Sequence, residues 1–205
     1  MLRWRFPLWL RRVCASVGSF LVLGRPQWLG LPKPDHKLFE THPIINSQLI
    51  YYVGHGDIRV RPDVVGVDDH TVHFSDGTRS EFDVIVHATG FKITIPFIDR
   101  DELNWQADRP ELYLNVFHPE RDDLFIAGLI QPDSGQWGLV DCQAQLIAKF
   151  LQHADAGSPR AAWFREQKRR PRKEPIRYVP SSRHLLEVEH FSYSRQLERL
   201  IKKLG

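Results

Sequence analysis

A nearly continuous apolar run spans residues 82–88 and is followed by the pair Thr89-Gly90. It is rich in β-branched residues, and its apolar positions are continuous rather than alternating, which is typical of a strand covered on both faces. Residues 123–128 form a second run of the same kind, and residues 112–117 are predicted to be its partner strand. The pattern therefore predicts an α/β fold with a parallel sheet.

Two segments in the second half of the chain have helical periodicity. Residues 139–152 carry two apolar faces, which predicts a largely buried helix. One face has Val140, Ala144, Ile147, Ala148 and Leu151, and the other has Cys142, Leu146 and Phe150. The tail from about residue 154 is predicted to be a basic linker followed by an amphipathic helix. The stripe of that helix consists of Tyr193, Leu197, Leu200, Ile201 and Leu204, with Lys202 and Lys203 at its carboxyl end.

Shorter elements are predicted between residues 46 and 78. A helix over residues 47–53 would have Asn46 as its cap, since the asparagine side chain accepts from the first free amides of a helix. The pair Asp76-Gly77 predicts a turn, because glycine adopts a positive φ without steric cost. Three short strands are predicted at residues 58–60, 64–67 and 71–74.

The amino terminus resembles a secretory signal in composition, because four arginines precede the mostly apolar residues 13–23. Ser16, Gly18 and Ser19 interrupt that stretch, which is too short to span a bilayer. Its apolar residues instead fit one stripe of an amphipathic helix, which we expect to pack on its own domain; the stripe is Trp9, Val13, Val17, Phe20 and Leu21. A helix lying on a membrane surface stays open as the less common alternative.

Composition and charge exclude several classes of protein. A chain with 42% hydrophobic residues and a net charge of only +3 is globular rather than disordered. Cys14 and Cys142 are far apart and form no metal motif, so we expect two reduced thiols, a cytoplasmic location and no metal site. The basic run at residues 165–173 has no interleaved aromatic residues, so a solvated linker is favoured over a nucleic-acid site.

Two segments could hold a ligand, because open α/β sheets bind ligands beyond the carboxyl ends of their strands. They are residues 88–91 and the loop at residues 131–139, where a helix begins. The free amides at the start of that helix suit an electron-rich group, and Gly135 and Gly138 would let the backbone approach it closely. Ordinary turns at strand ends remain an equal alternative at both places.

Other groups of polar residues give weaker signals. His70 and His73 lie three residues apart on a predicted strand, so their rings should point to opposite faces and not share a metal. Ser134 has no recognisable base or orienting acid, and His87 fits a core histidine. The segment Gly54-His55-Gly56 lacks the third glycine of a dinucleotide-binding fingerprint and is interpreted as a turn.

Several motifs together carry a resemblance to a known family over nearly the whole chain. The most specific are the strand end Ala88-Thr89-Gly90-Phe91 and the loop Leu129-Ile130-Gln131-Pro132. Further matching pieces are Lys33-Pro34-Asp35-His36, Thr41-His42-Pro43, Phe74-Ser75-Asp76-Gly77-Thr78, Gln143-Ala144 and Arg177-Tyr178-Val179-Pro180. The sequence resembles the carboxyl-terminal part of the flavin-containing monooxygenases, which are related to Baeyer–Villiger enzymes.

The resemblance implies an oxidoreductase with FAD and NADPH, in which a flavin hydroperoxide oxygenates a small organic substrate. The cofactor supplies the chemistry, while the protein binds, orients and excludes water. By the same resemblance, Ala88, Thr89 and Gly90 end a strand where the NADPH domain returns to the FAD domain. Gln131 and the amides near Gly138 and Leu139 would face the flavin ring. No catalytic residue can be assigned.

The resemblance also predicts the domain organisation. Residues 1–90 would contain the amino-terminal helix and the end of the NADPH-binding domain, residues 91–153 the carboxyl-terminal part of the FAD-binding domain, and residues 154–205 a basic linker and helix. The two glycine-rich fingerprints that hold the cofactor pyrophosphates do not occur in the sequence. We therefore expect an incomplete two-domain flavoprotein fold.

Two functional classes follow from these expectations. The first is part of a monooxygenase that needs an upstream segment, on the same chain or supplied by another chain, because the isolated chain should bind neither FAD nor NADPH tightly. The second is a non-catalytic remnant or interaction module of the same fold. Neither class involves nucleic acid, and a membrane partner is not expected.

Overall fold

The computed structural model describes residues 8–41, 46, 48–170, 178–179, 181 and 184–205. The chain divides into two compact units. Unit 1 consists of Met1–Leu38 and Ile44–Gly90, and unit 2 consists of Phe39–Pro43 and Phe91–Gly205. Residues 91–153 and 154–205, which the sequence analysis treats separately, both fall in unit 2. Their assignment to FAD- and NADPH-binding domains stays a prediction.

Unit 1 contains two helices, α1 (Leu8–Leu23) and α2 (Gln48–His55), with a short 3-10 helix at Pro26–Leu29. The predicted cap of α2 is confirmed, because Asn46 Oδ1 accepts from the amides of Gln48 at 2.9 Å and Leu49 at 3.0 Å. Residue 47, where this helix was expected to begin, lies outside the described residues. The sequence therefore identifies α2 and its capping chemistry correctly.

Helix α1 forms where it was expected, but its packing was predicted wrongly. The apolar stripe from Trp9 to Leu21 leaves half or more of each of its side chains exposed. The expected packing of this stripe on its own domain is therefore absent from the described part of unit 1. Within the described residues, no helix is both long and apolar enough to cross a membrane.

A three-stranded antiparallel sheet completes unit 1, with β1 (Val64–Asp68), β2 (Thr71–Phe74) and β3 (Arg79–Glu81) in sequence order. The predicted turn between β2 and β3 is confirmed by Gly77, which has a φ of +82°. The strand predicted at residues 58–60 does not form. The amides of Asp57 and Ile58 instead donate to the carbonyl of Tyr52 and close the end of α2.

The strand predicted at residues 82–88 is not formed either. The amide of Phe82 donates to the carbonyl of His70 at the end of the sheet, and the chain beyond it forms neither helix nor strand in the described structure. Val84 and Val86 are 75% and 81% exposed. A buried parallel strand exists only where neighbouring strands take up its hydrogen bonds and helices cover its faces. Unit 1 supplies neither for this run.

The described residues of unit 2 form three α-helices, which are α3 (Trp137–Asp155), α4 (Pro159–Lys168) and α5 (His190–Leu204). Leu139, Leu146 and Phe150 bury one face of α3, whereas Ala144 and Leu151 on its second apolar face are exposed. The prediction that both faces are buried is therefore wrong. The predicted stripe of α5 is confirmed as part of the core, which it enters through Tyr193, Leu197, Leu200 and Leu204.

Helix α4 was missed by the sequence analysis, which predicted a linker there. Ser158 caps it by accepting from the amide of Arg160, and Pro159 occupies its first turn, where proline is favourable. The basic run predicted to be solvated begins in this helix, and Lys168 is buried against Asp122. Residues 171–173 of that run lie outside the described part. The core of unit 2 is an aromatic cluster in which Phe117 meets Phe125, Phe150 and Phe164 edge to face.

The strands of unit 2 are short: β4 (Trp105–Gln106), β5 (Arg109–Pro110), β6 (Gln131–Pro132) and β7 (Glu187–Val188). The partner strand expected at residues 112–117 is instead a tight turn, with Leu114 and Asn115 at positive φ. The run at residues 123–128 contributes only a bridge from Phe125 to Phe117. Helices and sheets agree with the α/β class in coarse terms, and β6 and β7 pair in parallel.

Candidate functional site

The second predicted ligand segment, residues 131–139, is preceded by Gly128, whose amide and carbonyl groups are both hydrogen-bonded to side chains. Its amide donates to Gln143 Oε1 at 2.8 Å, and its carbonyl accepts from Gln136 Nε2 at 3.0 Å. Gly128 has a φ of +86°, in the left-handed region that favours glycine. We call this arrangement of Gly128, Gln136 and Gln143 the Gly128 clamp. It fixes the point at which the chain leaves the run at residues 123–128.

Beyond the clamp, the loop is hydrogen-bonded to residues 186–190, which lead into α5. The amide of Gln131 donates to Leu186 at 2.7 Å, and β6 pairs with β7. Asp133 Oδ1 then accepts from the amide of His190 at 2.8 Å, where α5 begins. These contacts hold the segment between β6 and α3 on two elements that the sequence analysis did not connect with it.

The start of α3 offers backbone amides to solvent. The amides of Trp137 and Gly138 have no acceptor among the described residues, as expected for the first turn of a helix. The amide of Leu139 donates to the Gln136 carbonyl at 3.0 Å, and its side chain lies in the core. The groups available to a ligand are therefore the first two amides of the helix and not that of Leu139.

An open groove of about 570 Å³ adjoins the clamp in unit 2. Its lining is mostly apolar, with Lys92 as its charged member. The groove is lined by Lys92, Ile93, Thr94, Ile95, Phe97, Ile98, Leu124, Phe125, Ile126, Ala127, Gly128 and Leu129. Gly128 belongs to both the groove and the clamp, so the groove wall is continuous with the loop that leads to α3.

The predicted site residues belong to different units. Gln131, Gly138 and Leu139 lie in unit 2 on the segment from β6 to α3, and Gln131 and Gly138 are exposed. Residues 88–90 lie in unit 1 at the end of the run at residues 82–88, where Gly90 has a φ of +91°. Thr89 and its neighbours are exposed there.

Sequence reasoning missed the two glutamines of the clamp as site residues. Gln143 lies between Leu139 and Leu146 on the buried face of α3. A polar residue at helical spacing among core residues is the signal that could have identified it. Nucleophilic chemistry by the neighbouring thiol is not favoured, because burial and the nearby Asp141 and Glu198 raise the pKa of Cys142. A thiol reacts as its thiolate, so a raised pKa lowers its reactivity.

Comparison with known proteins identifies the class to which this fold and loop belong. Residues 27–204 match the family model described as flavin-binding monooxygenase-like. The chain therefore belongs to that family, as the resemblance of its motifs predicts, and the family implies a flavin cofactor.

Individual relatives carry the same family name or a related one. Flavin-containing monooxygenase 5 of Oryctolagus cuniculus is 26% identical over 172 residues, which cover 82% of this chain and 32% of the relative. Its counterpart in Rattus norvegicus is 29% identical over the same length. Indole-3-pyruvate monooxygenase YUCCA4 of Oryza sativa subsp. japonica is 36% identical over 85 residues, 38% of this chain and 19% of the relative. The chain spans about a third of the length of the monooxygenase 5 relatives.

Proposed function

We propose that this chain forms part of an FAD- and NADPH-dependent monooxygenase that oxygenates a small organic substrate. The observation that carries the proposal is the Gly128 clamp, which leads into a loop ending at the unpaired amides of Trp137 and Gly138. Membership of the flavin-binding monooxygenase-like family supports the same conclusion. A bound flavin would accept a hydride from NADPH and activate oxygen.

The residues present suit the ring end of a flavin. The amides of Trp137 and Gly138 can donate to the electron-rich edge of the ring system, with the partial positive charge of the helix start behind them. The apolar groove beside Gly128 can exclude water from a bound organic group. In this proposal Gln131 lies at the edge of the ring, and Ala88, Thr89 and Gly90 mark the crossing from the NADPH-binding part.

The pyrophosphate groups of FAD and NADPH need glycine-rich loops, which do not occur in residues 1–205. Glycine-rich loops at helix starts provide most of the binding energy for a dinucleotide. We place those loops in a part of the enzyme other than residues 1–205, either upstream or on a partner chain. The exposed apolar residues of unit 1, such as Val84 and Val86, are then surface that this part covers.

Co-purification with FAD tests this function. The 205-residue chain is produced alone and together with the amino-terminal two thirds of a family member, and each preparation is passed through gel filtration. We expect flavin absorbance and FAD-dependent oxidation of NADPH only in the combined preparation. A complex that forms stably yet stays colourless would refute the flavin proposal and favour the interaction module. Stoichiometric flavin on the chain alone would refute the need for the other part.

A further inference from the structure

Gln143 is a fully buried primary amide on an otherwise apolar helix face. Burial of an amide is unfavourable unless its hydrogen bonds are satisfied inside the protein. Here its Oε1 accepts from the Gly128 amide at 2.8 Å, and its Nε2 donates to Tyr193 Oη at 2.7 Å. Both ends of the side chain are therefore used, and each contacts a different part of unit 2.

Tyr193 determines which way this amide faces. Its hydroxyl donates to the carbonyl of Leu114 at 2.6 Å and is buried, so only oxygen lone pairs remain for Gln143. A lone pair accepts from Nε2 and not from Oε1. The oxygen of Gln143 must then face Gly128, where an amide proton needs an acceptor. The hydrogen-bond chain has one consistent direction, from Gly128 through Gln143 and Tyr193 to Leu114.

We propose that Gln143, oriented by Tyr193, is a positioning residue that sets the path of the loop after Gly128. The claim that this loop faces a flavin rests on the proposed function. The claim that Gln143 positions the loop rests on the hydrogen bonds described above. The Gly128 carbonyl is already held by Gln136. With Gln143 present, the two peptide groups that flank Gly128 cannot rotate freely. Without it, Gly128 is restrained only through its carbonyl, which accepts from Gln136 Nε2 at 3.0 Å and from the Ile130 amide at 2.8 Å, and its amide is free to turn.

A purely structural role would make a different prediction. If Gln143 only filled the core, a methionine of similar shape could replace it. Any loss of protection from amide exchange would then be shared by the whole of unit 2. A positioning role predicts a local change at the Gly128 amide beyond the change at the centre of α3. Native-state amide exchange separates the two, because it measures the opening of each hydrogen bond.

The experiment compares exchange at Gly128 with exchange at Leu146, which lies in the centre of α3. In Gln143→Met we expect Gly128 to exchange about tenfold faster relative to Leu146, since its acceptor is lost. Gln143→Glu, measured at a pH where the carboxyl group is protonated, keeps an acceptor for Gly128 and a donor for Tyr193 Oη and should restore the protection of Gly128. Tyr193→Phe should weaken it, because the orienting hydroxyl is removed. Gln145→Met is the matched control, since Gln145 is exposed and contacts Asp141 on its own helix.

Equal acceleration at Gly128 and Leu146 in Gln143→Met, or none at Gly128, would overturn the proposal. If that variant does not fold, Tyr193→Phe decides: unchanged protection of Gly128 relative to Leu146 overturns the proposal, and selective loss supports it. A second measurement follows FAD retention by the completed enzyme, where Gln143→Met should lose more flavin than Gln145→Met. Selective exchange at Gly128 in a chain whose completed enzyme stays colourless would refute the proposed function and leave the positioning role supported.

Discussion

The ammonium group of Lys168 lies 2.7 Å from the carboxylate of Asp122, although the lysine side chain is only 1% exposed. Lys168 Nζ also donates to the carbonyl of Arg121 at 2.5 Å, and Arg165 Nε donates to the same carboxylate. Burial raises the pKa of Asp122, but the hydrogen bonds from Lys168 and Arg165 outweigh it and lower that pKa below its ordinary value. The ion pair between Lys168 and Asp122 connects α4 to the loop that precedes the run at residues 123–128.

Removal of Asp122 should therefore be costly. In Asp122→Ala the buried ammonium loses its counterion, and we expect the free energy of unfolding to fall by about 1 to 3 kcal/mol, because the carboxylate is 34% exposed and solvent weakens the pair. Asp123→Ala is the control, because Asp123 pairs with Arg121 in a much more exposed position and its loss should destabilise the protein much less. Urea denaturation of both variants measures the difference. Equal losses would show that the Lys168 pair is no stronger than a surface contact.

The stability of unit 2 should depend on pH through His118. Its Nδ1 accepts from the amides of Glu120 at 3.1 Å and Arg121 at 2.9 Å, an arrangement that a proton on Nδ1 would break. Burial, and then the charge of Lys168, lower the pKa of His118, while Glu120 and Asp123 act in the opposite direction with smaller effect. The folded state therefore prefers the neutral ring.

Since the folded pKa lies below the ordinary value of 6.5, the unfolded chain takes up the proton first as pH falls. The contribution of His118 to the free energy of unfolding is therefore complete above pH 6.5 and is lost as pH falls through the folded pKa. His118→Asn keeps an acceptor for the two amides and cannot titrate, so its stability should fall less than that of wild type from about pH 7.5 to about pH 5.5. Parallel curves for the two proteins in urea denaturation would contradict the prediction.

The sequence predicted correctly those elements whose stabilising contacts are local. The cap of α2 by Asn46 and the Gly77 turn depend on residues a few positions apart, and the stripe of α5 depends on helical periodicity alone. The strand prediction for residues 82–88 failed because an apolar run of this kind forms a strand only beside neighbouring strands, and the described part of unit 1 contains none that pairs with it. Apolar continuity indicates that a surface should be covered, not which part of a protein covers it.

The candidate site was predicted in part, for a related physical reason. The position of the loop at residues 131–139 follows from glycines and a helix start near one another in sequence. The Gly128 clamp depends on Gln143 and Tyr193, which are 50 residues apart, and no local pattern joins them. Helix α4 was missed because its basic residues suggested solvent, whereas Lys168 finds its partner in Asp122, 46 residues earlier.

The backbone conformation of Gly128 predicts how a side chain at this position would change the stability of the protein. Gly128→Ala places a side chain at a φ of +86°, which should lower the free energy of unfolding by about 1 to 2 kcal/mol. Gly135→Ala is the control on the same loop, since an added Cβ there meets no atom within 4 Å and Gly135 does not have a positive φ. We expect Gly135→Ala to be neutral or slightly stabilising in thermal denaturation. Similar destabilisation by both changes would contradict this account.

The last prediction concerns the exposed run at residues 82–88. Val84 and Val86 lie two residues apart, and both are more exposed than Ile85 between them. Exposed apolar side chains without a partner strand favour association with other chains. In the proposed enzyme this exposed face would instead be covered by the part that carries the glycine-rich loops.

Val84→Lys combined with Val86→Lys should separate these two roles. In the isolated chain we expect less self-association by light scattering and a free energy of unfolding within about 0.5 kcal/mol of wild type, because neither valine is buried there. In the completed enzyme the same double variant should prevent assembly and flavin retention, since two charges would lose their water. Val65→Lys is the control, an exposed valine in the paired strand β1 that should leave assembly intact. Undiminished self-association of the isolated double variant, or its normal assembly into a flavin-binding enzyme, would show that this face does not contact other chains.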